Sequence, residues 1–93
     1  MVKIEIFPPL ADLLTKKEVF LTLEEPMNII DFILWAKELH PDVSRAFTSV
    51  GKIADPSDLL HYFLVLKNNE IATKDEYVME NDLIKLILPL QGG

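Results

Sequence analysis

Ninety-three residues, with nine lysines and arginines against fifteen aspartates and glutamates and a net charge of −6, suit one domain with a single modest core. Counterion release needs clustered Lys and Arg, so this acidic balance and a lone arginine, Arg45, argue against nucleic-acid binding. The absence of cysteine removes disulfides, thiolate metal sites and a cysteine nucleophile, and no stretch has the length and apolarity of a membrane span.

Val2, Ile4 and Ile6 alternate with Lys3, Glu5 and Phe7, the period-two pattern of a strand with one buried face. This start lacks the apolar block of a signal peptide, so a cytoplasmic protein is expected. Pro8-Pro9 ends the strand, Ala11 to Leu14 reads as a helical turn or loop, and Thr15-Lys16-Lys17 as a polar connection. Val19, Leu21 and Leu23 then mark a second strand, and the short connection favours antiparallel pairing.

Pro26 and Asn28 open a helix, with Asn28 as N-cap and Asp31 in the first turn. Its core-facing stripe is Ile29, Ile30, Ile33, Ala36 and Leu39. Phe32 and Trp35 widen that stripe, as helix-edge core residues or as a partner contact. Pro41 stops the helix. From Asp42 to Asp58 the pattern is weak: Ser44 to Val50 suits a short helix ending near Gly51, and Asp55-Pro56-Ser57-Asp58 a turn. Leu59 to Lys67 reads as a buried strand, Asn68-Asn69 as a tight turn, Glu70-Ile71-Ala72 as a return strand and Asn81-Asp82 as another turn. In the last strand Ile84, Leu86 and Leu88 share one face, and Leu83, Lys85 and Ile87 the other.

Strand, strand, helix and two or three further strands describe an α+β, β-grasp (ubiquitin-like) arrangement. It is expected to have a mixed sheet of four to five strands, one main helix across it over residues 1–88, and a flexible tail over 89–93. Catalytic motifs are missing. Gly51 stands alone, which rules out a phosphate-cradling loop. His40 and His61 lack partners in any metal or base motif, and the pairs Glu24-Glu25 and Asp75-Glu76 lie beside turns.

What remains is Leu88-Pro89-Leu90-Gln91-Gly92-Gly93, which holds two of the three glycines. Pro89 has no backbone donor and ends sheet pairing. The five residues from Pro89 reach roughly 17 Å when extended, and the glycines let a narrow channel close on the backbone. The α-carboxylate of Gly93 is ionised and a poor electrophile, with a reference pKa of about 3.5, so transfer chemistry requires activation, most naturally as an acyl-adenylate from ATP. A sulfur donor then gives a thiocarboxylate, or an amine an isopeptide bond.

With these features the chain resembles the MoaD/ThiS family of ubiquitin-like sulfur carriers, over nearly its whole length and most weakly between Asp42 and Asp58. The resemblance rests on Val2 to Phe7 leading to Asp12-Leu13-Leu14, on Val65-Leu66-Lys67-Asn68-Asn69-Glu70, on Glu80-Asn81-Asp82, and above all on Ile87 to Gly93. The proline five places from the end looks like the molybdopterin branch. The chain departs from the family with Asn68-Asn69 for the usual Asn-Gly, Asn81-Asp82 for Gly-Asp, and Ala11 where many relatives carry arginine. Asparagine tolerates positive φ, so both turns are expected to survive.

The resemblance implies that an E1-like enzyme uses ATP to adenylate Gly93 and that a sulfur donor protein supplies the sulfur. It further implies that the tail enters the large subunit of molybdopterin synthase, this chain being the small sulfur-carrying subunit and binding no cofactor itself. Phe7, Lys85 and Ile87, on the sheet face opposite the helix, form the expected docking surface. Sulfur delivery to thiamine thiazole synthesis, conjugation to lysines as a protein modifier, and an interaction module with an inert tail are the competing readings.

Overall fold

A computed structural model describes residues 1–7, 16–48 and 53–88. Five strands form one mixed sheet: β1 (Val2–Phe7), β2 (Lys17–Leu21), β4 (Leu64–Lys67), β5 (Glu70–Ile71) and β7 (Leu83–Ile87), in the order β2-β1-β7-β4-β5. β1 and β7 run parallel at its centre, and the remaining pairs are antiparallel. β3 (Met27–Asn28) and β6 (Tyr77–Val78) make a separate two-stranded ladder. The architecture is α+β, with a mixed five-stranded sheet and helices.

Alternation puts Val2, Ile4, Ile6, Val19, Leu21, Val65, Ile84 and Leu86 on one face of the sheet, all buried in the hydrophobic core. The longest of the described helices, α1 (Ile29–Leu39), supplies Ile29, Ile30, Phe32, Ile33 and Ala36 to that core. Asn28 caps it as expected. Its Oδ1 accepts hydrogen bonds from the N–H groups of Ile30 (2.9 Å) and Asp31 (3.4 Å), satisfying two donors with no intrahelical partner. Asp31 in the first turn and Lys37 in the last complement the helix dipole.

Pro41 ends α1 and also opens α2 (Pro41–Thr48), since proline's fixed φ and missing N–H suit a first helical position. The weakly patterned stretch thus contains an eight-residue helix with Val43, Ala46 and Phe47 buried. These side chains join the core where α1 ends, and Leu39, expected in the α1 stripe, is exposed. Phe32 is wholly buried and Trp35 half-buried beside it, with ring centroids 6.1 Å apart.

The expected strand from Leu59 to Lys67 is corrected. Asp55 Oδ1 accepts from the Ser57 N–H at 3.0 Å, a 3-10 turn follows over Pro56–Asp58, and α3 (Leu59–Tyr62) continues it. Only Leu64–Lys67 is strand. A short apolar run rich in aromatics carries the same signal in a buried helical turn as in a strand, and the Asp-Pro start decides for the turn.

Both asparagine turns adopt the backbone that glycine would favour: Asn68, Asn69 and Asn81 have φ of 52°, 70° and 73°. Two consecutive positive φ angles match the right-handed twist of the β4–β5 hairpin. Asn68 also ties the turns together, because its Oδ1 accepts from the Leu83 N–H at 2.9 Å and its Nδ2 donates to Asp82 Oδ1 at 3.1 Å. Among the described residues no helix is long and apolar enough to cross a membrane.

Candidate docking face and tail exit

Cross-strand register defines the second face of the sheet. Lys3 pairs with Phe20 and Leu83, Glu5 with Glu18 and Lys85, and Phe7 with Ile87. Leu64 and Leu66 on β4 stand opposite Ile87 and Lys85, and Ile71 on β5 opposite Leu66. Directly opposed residues point to the same side of a sheet. Phe7, Lys85 and Ile87, expected to lie together away from the helix, therefore share this outer face. Phe20, Leu64 and Ile71 on the same face are exposed, Ile71 at 73%.

One departure from the expected pattern is chemical. β1 was expected to bury a single face, yet Glu5 and Phe7 are also buried, at 5% and 7% exposure. β1 lies between β2 and β7, so long side chains from both neighbours close over these positions. Glu5 stands directly opposite Glu18, a like-charge pair that would be destabilising without counterions. Lysines supply them. Lys16 Nζ lies 2.5 Å from Glu5 Oε2 and 3.9 Å from Glu18 Oε1, while Lys3 Nζ lies 3.6 Å from Glu5 and 3.2 Å from Glu18.

The hydrogen bond from Lys16 holds the Glu5 carboxyl below the ordinary glutamate range, outweighing the opposite push of burial, and the charges of Lys16, Lys3 and Lys85 add to it. The same bond raises the Lys16 ammonium. Lys16 and Lys85 each place Nζ 5.9 Å from the centroid of the Phe7 ring, within cation–π range.

This lysine–glutamate cluster went unseen in the sequence, where Lys16 read as part of a polar connection. The signal was there. Continuing the β1–β2 alternation back by one residue brings Lys16 onto the face of Glu5 and Phe7.

β7 and the described part of the chain end at this end of the face. The Leu88 N–H donates to the Phe7 carbonyl at 3.2 Å, the last hydrogen bond of the β7 register before Pro89. Pro89, Leu90, Gln91, Gly92 and Gly93 lie outside the described residues, as do Ala11 and Gly51.

Elsewhere the polar groups are dispersed. His61 Nδ1 is 3.7 Å from Asp58 Oδ1 on an exposed surface, and among the described residues no three His, Asp or Glu side chains gather to hold a metal. A hollow of about 340 Å³ lies against α1 and α2, floored by Phe47 and Leu59, with the Lys37 ammonium 4.9 Å from the Phe47 centroid. Among the described residues Ser44 and Thr48 are its remaining polar lining, and they supply no general acid–base pair.

No protein-family model matches the chain, and no curated protein matches it.

Proposed function

We propose that this protein is a sulfur carrier of β-grasp architecture that is activated at the Gly93 carboxylate and serves the assembly of molybdopterin. The observation that carries the reading is the position of β7. It runs parallel to β1 in the middle of the sheet and stays hydrogen-bonded through Leu88. A tail attached there has a rigid base and starts at the rim of a partly apolar face. That arrangement supports delivery of a chain end into a partner while the sheet face is held against it.

The chemistry follows from the carboxylate. One oxygen of Gly93 attacks the α-phosphorus of ATP and expels pyrophosphate, giving the acyl-adenylate. Hydrosulfide from the sulfur donor then attacks the acyl carbon, AMP departs with the oxygen and the sulfur's proton passes to water, leaving a thiocarboxylate. The E1-like adenylating enzyme supplies the catalytic groups and ATP site, and the large synthase subunit receives the sulfur. Phe7, Lys85 and Ile87 lie within the docking face. On this reading the protein is the carried group and works in the cytoplasm.

Intact-mass measurement after incubation with ATP, an E1-like enzyme of the same genome and a sulfur donor tests the proposal. The expected result is a gain equal to exchange of one oxygen for sulfur, lost on deletion of Gly93. Unchanged mass, with molybdopterin synthesis intact in a strain lacking Gly93, would overturn it. A ladder of higher-mass conjugates dependent on Gly93 would instead establish a protein modifier.

A further inference from the structure

The lysines of the outer face are unequally satisfied. Lys16 is bound to Glu5, and Lys3 lies between Glu5 and Glu18. Lys85 differs: its charge reaches Glu5 opposite it on β1 only at longer range, with no carboxylate of the described residues within 4.0 Å of its Nζ, and its ammonium stands 5.9 Å from the Phe7 centroid. Its side is flanked by Leu83 and Ile87 along β7 and by Leu66 across on β4, all half-buried. The described charges of the face are three lysines against two glutamates, although the chain as a whole carries −6. A local positive excess thus sits on an acidic protein.

Resting on the docking role proposed above, we infer that Lys85 is a specificity contact, and that the partner protein meeting this face sets a carboxylate against it within an apolar surround. A protein laid over Leu66, Lys85 and Ile87 strips water from the ammonium, and a desolvated charge without a counterion is costly. A purely apolar partner pays that cost in full, whereas a carboxylate removes it and fixes orientation. The geometry also selects against other occupants. A second copy of this face would oppose one positive excess to another. A polyphosphate strand would satisfy Lys85 but leave Leu64 and Ile71 without apolar cover and meet the repulsion of a −6 chain.

Steady-state ATP–pyrophosphate exchange with the E1-like enzyme of the same genome, using the full chain as substrate, is the test. Lys85→Glu is expected to raise KM about tenfold or more with little change in kcat, because an unmatched charge at an interface acts on association. Lys85→Met should raise it less, and Lys85→Arg should stay near wild type. Lys74→Glu makes the same change in net charge on the segment between β5 and β6, outside the strands of this sheet, and should leave KM within about twofold.

Circular dichroism and the urea midpoint establish that each variant folds, and added salt should raise the wild-type KM more steeply than that of Lys85→Met. Equal KM values for Lys85→Glu and Lys74→Glu, with active wild type, overturn the contact and leave the carrier reading standing. Absence of exchange with wild type removes the carrier reading and this inference with it.

Discussion

The same strands build two faces with opposite physics. Toward the helices β1 and β7 present Val2, Ile4, Ile6, Ile84 and Leu86, apolar and buried, closed by Phe32, Ile33 and Val78. One residue along each strand, the outer face presents Lys3, Glu5, Phe7, Lys85 and Ile87, where charge and apolar surface are interleaved. A period of two lets one backbone carry both, because a step of one residue reverses the side chain's direction. The comparison separates roles: the inner face holds the fold together, and the outer face is free to be specified by what it meets. Glu5 is the exception, since it is an outer-face charge that is itself buried.

The largest expected effect lies on the inner side. Phe32 is wholly buried, and Phe32→Ala removes its ring from the centre of the core, where the surroundings relax only in part. A loss of about 3–5 kcal/mol in urea denaturation is expected. A loss below about 1 kcal/mol would mean that the inner face is not the source of stability.

Glu5→Gln probes the exception. It leaves Lys16 and Lys3 close together without their shared carboxylate, and a cost of about 1–3 kcal/mol follows, the upper end falling short of a fully enclosed pair because Lys16 is 29% exposed. The pH dependence has a definite sign. Glu5 titrates lower in the folded protein than in the unfolded chain, so its contribution is complete above the unfolded glutamate value of about 4.3 and fades as pH falls through the lower folded value. Lys16, raised by the same bond, contributes below the unfolded lysine value of about 10.4 and loses that as pH rises through its higher folded value. Wild type should therefore lose stability relative to Glu5→Gln at both ends of the pH range. Parallel urea profiles for the two proteins would sever Glu5 from Lys16.

The inner face was legible in sequence, and the outer face only in part. Hydrophobic alternation at Val2, Ile4, Ile6 and at Ile84, Leu86 needed nothing but period two. The cap at Asn28 and the turns at Asn68 and Asn81 were equally plain, since local backbone chemistry decides them. The short ladder of β3 with β6 escaped notice because two-residue strands have no period, and it exists only where Met27 meets Val78 across fifty residues of sequence. In the weak stretch after Pro41 a short helix was expected over Ser44 to Val50, and α2 runs from Pro41 to Thr48: the start was missed because Pro41 was read only as the stop of α1 and not as a first helical position. On the candidate site, Phe7, Lys85 and Ile87 followed from alternation alone, whereas Lys16 required the β2 alternation to be carried back one residue into what read as a polar connection. The tail residues Pro89 to Gly93 were read from their chemistry and remain with it, outside the described residues.

A smaller effect is expected where the edge of the core meets solvent. Asn28→Ala removes the acceptor of the Ile30 and Asp31 N–H groups and the 2.8 Å bond from Asn28 Nδ2 to the Lys74 carbonyl. The capping loss is about 1 kcal/mol. Because Asn28 also pairs with Tyr77 through its backbone, the ladder should persist. Amide exchange can separate the two: the Ile30 N–H should lose protection while the Ile29 N–H, bonded to the Glu76 carbonyl, keeps it. Equal loss at both would show that the cap holds β3 to β6 as well.

The smallest expected effect completes the contrast between the faces. Ile71 lies on the edge strand β5, shares the outer face with Leu66, and is 73% exposed. Ile71→Ser takes away little buried area, so folding stability should change by no more than about 0.5 kcal/mol. Any remaining loss belongs to the lower strand preference of serine. The same methyl groups are available to a partner, and binding should therefore weaken where folding does not. If urea denaturation instead gives a loss above about 2 kcal/mol, Ile71 is packed within the protein. The outer face would then be a second core, and its lysines would serve the fold before any partner.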